Sequence, residues 1–153
     1  MEKVKFMLLT ATLVLLGSGC VRAADNAALP GPVKSVYSDY LKIQAQLAND
    51  SLTGVGEDAT AIAKAVQGDA KALPTAVASE AEALAKASDL RSARAAFKPL
   101  SDSLIEYLAD HQSKEAYVQV YCPMARAHWL QSDRIVHNPY YGQAMATCGE
   151  IQN

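Results

Sequence analysis

Leu90, Ala93, Phe97, Leu100, Leu104, Tyr107 and Leu108 recur three and four residues apart, giving one apolar stripe of helical period that runs to about Asp110. A helix with such a stripe must bury it against another element, so the chain has to form at least two packed layers. Ser88 or Asp89 supplies an N-cap for this helix. Pro99 inside it lacks the amide proton of the helical ladder, and a local bend is expected there.

Two further stretches repeat the pattern. Tyr37, Tyr40, Leu41, Gln44 and Leu47 predict a helix over about Val33 to Asn49. Val55, Ala59, Ile62, Val66 and Leu73 form a second stripe that breaks near Pro74 and resumes with Val77, Ala81 and Leu84, so a helix, a break and another helix are expected. The Gly54/Gly56 turn between them ends in acidic residues suited to a helix start. Alanine enrichment fits closely approaching helices and equally fits plain helix propensity.

Beyond Glu115 the period changes from 3.6 to 2. In "EAYVQVYC", Tyr117, Gln119 and Tyr121 fall on one side and Val118, Val120 and Cys122 on the other. Polar turns at "QSD" and "HNP" follow, then "YYGQAMATCGEI". The fold class read from these patterns is mainly α: an antiparallel helical bundle over residues 33–153 with a short irregular C-terminal element that admits a small β-hairpin.

The N-terminus reads differently. Lys3 and Lys5 precede the apolar run Phe6–Leu16, which is too short to span a bilayer and has the form of an export signal over residues 1–23. "VRA" before Ala24 suits cleavage after Ala23; "LGSGC" at Leu16–Cys20 offers the alternative of a lipid anchor on Cys20. The first route is preferred, because Gly17 stands where a lipidation site usually has a large aliphatic residue. "ADNAALPGP" over 24–32 is a linker by composition. The processed chain would carry fifteen acidic and eleven basic side chains, a net charge of −4, with no span of a membrane. That balance gives no electrostatic reason to bind nucleic acid or an anionic membrane surface.

Such a chain keeps two thiols, Cys122 in "YCPMARAHW" and Cys148 in "MATCGEI". An extended 117–124 segment would place Cys122 and Met124 on one face, and a helical turn would do the same for Met145 and Cys148. Thiolates and thioethers are soft donors that select Cu(I), with Ag(I) as an analogue, and imidazole is a compatible third type, here His128. Against this, an oxidising compartment permits a Cys122–Cys148 disulfide, worth about 3–4 kcal/mol by loop closure. Met124 and Met145 also read as core filler, and His128 beside Trp129 as a structural histidine. His137 reads as a turn residue and His111 as a cation at a helix C-terminus. The close cysteine spacing of a zinc knuckle is missing, as are a C-x-x-C redox motif, an oxyanion loop and a third member for a Cys/His pair. The chain is therefore read as non-enzymatic.

The ordered string "FKPLSDSLIEYL", "YVQVYCPMA", "HWLQSDRIVHNPYYGQAM" and "CGEI" resembles the DUF3347 family of bacterial exported proteins, most densely over 97–151. That domain also occurs fused to periplasmic adaptor subunits of heavy-metal efflux pumps, so the resemblance implies copper or silver handling in the periplasm. By position it implies Cys122, Met124, Met145 and Cys148 as the sulfur set, with Trp129 and the Asn138–Gly142 turn as scaffold and His128 as an optional ligand. The function expected is an exported protein that buffers Cu(I) or hands it to an efflux component. The alternative is a non-catalytic interaction module held by a Cys122–Cys148 disulfide.

Overall fold

The computed structural model describes residues 29–111 and 117–152, so the expected signal segment, Cys20 and most of the linker lie outside the described residues. Four helices come first: α1 (Gly31–Ala48), α2 (Val55–Gly68), α3 (Thr75–Ala85) and α4 (Leu90–Asp110). Three strands follow, β1 (Val118–Cys122), β2 (Ala127–Gln131) and β3 (Glu150–Ile151), with a short 3-10 helix at Gly142–Met145 before the last. Fold class and period changes agree with the sequence reading.

Each helix follows from its pattern. α1 starts two residues ahead of expectation, because Pro32 in the first turn needs no amide proton there and presets a helical φ. It buries Val36, Tyr37, Tyr40, Ile43, Gln44 and Leu47, while Leu41 stays half-buried at the edge of the stripe. α2 opens after Gly54, whose φ of 79° suits glycine, and carries Glu57 and Asp58 in its first turn. The break at Pro74 is real: the chain leaves α2 at Gly68 and re-enters helix at Thr75. Asp89 caps α4, its carboxylate accepting from the Ser92 amide at 2.8 Å while the Ser92 hydroxyl returns to the Asp89 backbone. α4 runs unbroken through Pro99, which removes one ladder donor and leaves the Ala95 carbonyl without its usual partner from that position. The short connections between helices turn successive ones back on each other.

The sheet is antiparallel in the order β2-β1-β3. Cross-strand pairs run from Val118 opposite Gln131 to Cys122 opposite Ala127, and β3 sets Ile151 opposite Val120. Tyr40 ties the sheet to the bundle. Its fully buried hydroxyl accepts from the Leu130 amide at 3.0 Å and lies 2.8 Å from the Ser101 hydroxyl, joining α1, β2 and α4 through one oxygen. Phe97 stacks on the Tyr40 ring at 4.9 Å and meets Tyr140, which in turn touches the edge of Trp129. Among the described residues no helix is long and apolar enough to cross a membrane.

Candidate functional site

β1 ends at Cys122 because Pro123 cannot continue the ladder and the chain reverses over Pro123–Arg126. Arg126 completes the reversal in the left-handed region, φ 48°, and Ala127 enters β2. This overturns the idea that 117–124 stays extended, so strand alternation does not set Met124 beside Cys122. The turn does something else. It aims the amides of Met124 and Ala125 at the Cys122 sulfur, the latter at 3.5 Å.

The second thiol arrives from the far side of the loop that follows β2, and Asn138 organises that loop. Its side chain is fully buried; Oδ1 accepts from the amides of Tyr140 (2.8 Å) and Tyr141 (3.1 Å), and Nδ2 donates to the Cys148 carbonyl at 2.7 Å. The Asn138 amide donates to the Ala146 carbonyl at 2.9 Å, and its carbonyl accepts from Gly142 at 3.0 Å. Cys148 closes a turn onto Met145, its amide donating to that carbonyl at 3.0 Å. Gly149 then passes against Trp129 and Val120 so closely that an added Cβ would clash with both.

The outer end of this loop is pinned to the helices. Arg94 donates to the carbonyls of Pro139 (2.8 Å) and Leu47 (2.9 Å) and pairs with Asp50 at 2.5 Å. Asp50 also accepts from the Gln143 amide at 3.0 Å. Gly142, at φ 54°, sits where a Cβ would run into Asp50 and Arg94. The Asn138–Gly142 turn is therefore anchored to the bundle through Arg94 at Pro139 and held within its loop by Asn138.

These constraints bring the two sulfurs together: Cys122 Sγ and Cys148 Sγ lie 2.8 Å apart, 26 residues distant in sequence, and both are free thiols. Cys122 is fully buried and Cys148 half-buried, so solvent reaches the pair from the Cys148 side. Burial pushes the Cys122 thiol up, but the hydrogen bonds it accepts from Cys148, from the Ala125 and Met124 amides and from Asn138 outweigh this and hold it below the ordinary thiol value. Cys148, donating to Cys122 and partly buried beside it, is held above. Cys122 is thus the first to ionise, and Cys148 keeps the shared proton.

The remaining predicted ligands are placed differently. Met124 is 62% exposed at the tip of the hairpin, and its carbonyl accepts from the Tyr141 hydroxyl at 3.3 Å. Met145 is half-buried one turn before Cys148. His128 lies opposite Tyr121 in the register, on the face of the sheet away from Cys122, with its ring 4.6 Å from the Tyr121 ring. Among the described residues no group of three or more His, Cys, Asp or Glu side chains is placed to hold a metal ion, so the site consists of two thiols with thioethers nearby in sequence. A cavity of about 270 Å³ between α1 and the loop, lined by Leu41, Asn49, Asp133, His137 and Gln143 among others, contains no thiol.

Sequence reasoning missed Arg94, Asp50 and Gln131. The buried Gln131 amide accepts from Trp129 Nε1 at 3.0 Å and donates to the carbonyls of Asp133 and Ile135, which fixes the start of the loop. An arginine amid the small residues of "RSARAAF" was the available signal for Arg94; Gln131 had none.

Residues 36–116 match the family described as protein of unknown function (DUF3347), just over half of the chain. The matched stretch runs from within α1 to the end of the bundle and stops before β1, so both cysteines lie beyond it. No curated protein and no solved structure matches the chain.

Proposed function

The chain belongs to the DUF3347 family, and we propose that it is an exported, non-catalytic protein that binds Cu(I) through Cys122 and Cys148, buffering the ion or passing it to an efflux component. The carrying observation is the convergence of two thiols from distant parts of the chain, one of them surrounded by amide donors that favour its thiolate. Thiolate is the ligand form, and soft donors select Cu(I) over hard cations. Two metal–sulfur bonds of about 2.3 Å each, the length known for Zn–S, hold sulfurs farther apart than this pair stands. Binding therefore requires the Cys148 side chain to turn away from Cys122 on a backbone that stays held by Asn138. The thioethers of Met124 and Met145 are the candidates for completing the coordination; His128, across the sheet, is not.

A second reading is favoured by one observation. The 2.8 Å separation is nearer to a disulfide than to a metal-bridged pair. In that reading the chain is an interaction module stapled between β1 and the C-terminal loop. Titrating the reduced protein with Cu(I) against a competing chelator, beside a Cys122→Ser, Cys148→Ser variant, separates the two. Stoichiometric, cysteine-dependent binding supports the metal site, and equal binding by both proteins rules it out.

A further inference from the structure

The two sulfurs differ in access while sharing one contact distance. Cys122 is fully buried behind the hairpin turn, and Cys148 is half-buried on the open side. We propose that Cys148 exchanges with a disulfide presented from solvent and that Cys122 resolves the resulting adduct, so the pair is oxidised in an ordered two-step exchange. The proposal concerns the same sulfurs as the Cu(I) site but does not depend on metal binding.

In the first step the Cys148 thiol passes its proton to the Cys122 thiolate 2.8 Å away, which later releases it to solvent, and the Cys148 sulfur attacks one sulfur of a small disulfide RSSR. A Cys148–SR bond forms, the S–S bond of the reagent breaks, and RS⁻ leaves to take a proton from solvent. In the second, the Cys122 thiolate attacks Cys148 Sγ, the Cys122–Cys148 bond forms, and a second RS⁻ leaves. The two cysteines together give up two electrons and two protons, and RSSR becomes two RSH.

The geometry fits the second step better than any alternative order. The Cys122 sulfur already stands 2.8 Å from its target and is held there by the Ala125 amide. The Cys148 backbone is fixed by Asn138 and by the tight passage of Gly149 over Trp129, so an adduct on Cys148 cannot swing far from Cys122. Cys122 is fully buried, so an attack by it on an outside disulfide would first require its packing to open. Once the bond forms, neither sulfur is a thiolate, so the Cu(I) site is closed by the same reaction.

The test uses reduced, metal-free full chain carrying Cys20→Ser throughout, treated with oxidised glutathione, quenched in acid and followed by intact mass and peptide mapping. The expected result is an adduct that accumulates on Cys148 in the Cys122→Ser variant. In the Cys148→Ser variant an adduct on Cys122 forms at least about tenfold more slowly, because access limits the exchange. Without either substitution, mapping at early times finds glutathione on Cys148 alone, then the intramolecular disulfide. Adducts forming on Cys122 as fast as on Cys148, or a Cys148 adduct that persists when Cys122 is present, would overturn the proposal. Early-time mapping of the chain with both cysteines keeps the test decisive if a serine variant folds poorly.

Discussion

At the scale of single residues, Asn138 does more for the site than any group except the sulfurs. One buried amide holds two backbone donors and the Cys148 carbonyl, and it touches the Cys122 sulfur as well. Asn138→Ala removes the partners of several buried polar groups, so a loss of about 2–4 kcal/mol in unfolding free energy is expected from urea denaturation. A change under 1 kcal/mol would show that the loop is held by something else. The pairing of Cys122 with Cys148 was legible in the sequence, but the way it is held was not, because it depends on Asn138 and Gly149 acting at close backbone contacts that no side-chain period reports. Met124 shows the opposite failure. Its spacing from Cys122 suggested a shared strand face, and a turn beginning at Pro123 sent it to the surface.

Among elements, the helices were readable because burial follows the 3.6 period and caps sit where the chain needs them. The C-terminal loop was not, since its docking rests on a charge pair between parts of the chain that sequence does not join. Arg94 first, and then the Gln143 amide, hold the Asp50 carboxyl below its ordinary value. A lowered acid contributes stability that is complete above its unfolded value and is lost as pH falls through the folded one. Asp50→Asn should therefore melt below the parent chain at pH 7, with the gap narrowing as pH drops below about 4. A gap independent of pH would mean that charge is not what docks the loop. The capping box gives a control remote from the site: Asp89→Ala should cost about 1 kcal/mol in thermal unfolding and leave thiol chemistry unchanged.

For the molecule as a whole, bundle and sheet share one core, and the Tyr40 hydroxyl is a polar joint between them, beside that of Tyr37 to the Gln131 carbonyl. Tyr40→Phe leaves the buried Leu130 amide without the hydroxyl it donates to and removes one partner of the Ser101 hydroxyl, a cost of about 1–3 kcal/mol readable in urea unfolding. A neutral result would show that the interface repacks around the missing oxygen. The mainly α class and the change to a hairpin after the last helix were visible in the sequence; the third strand was too short, two residues, to leave a period. The family match covers the bundle, while the thiols sit beyond it, at the end of β1 and in the loop before β3. The most direct measurement is the Cu(I) affinity of the same full chain, with Cys20→Ser, in its reduced and its disulfide form, by chelator competition. The reduced form is predicted to bind one Cu(I) per chain at least about a hundredfold more tightly, since oxidation removes both thiolate donors. Equal affinity in the two forms would contradict a copper site built on Cys122 and Cys148.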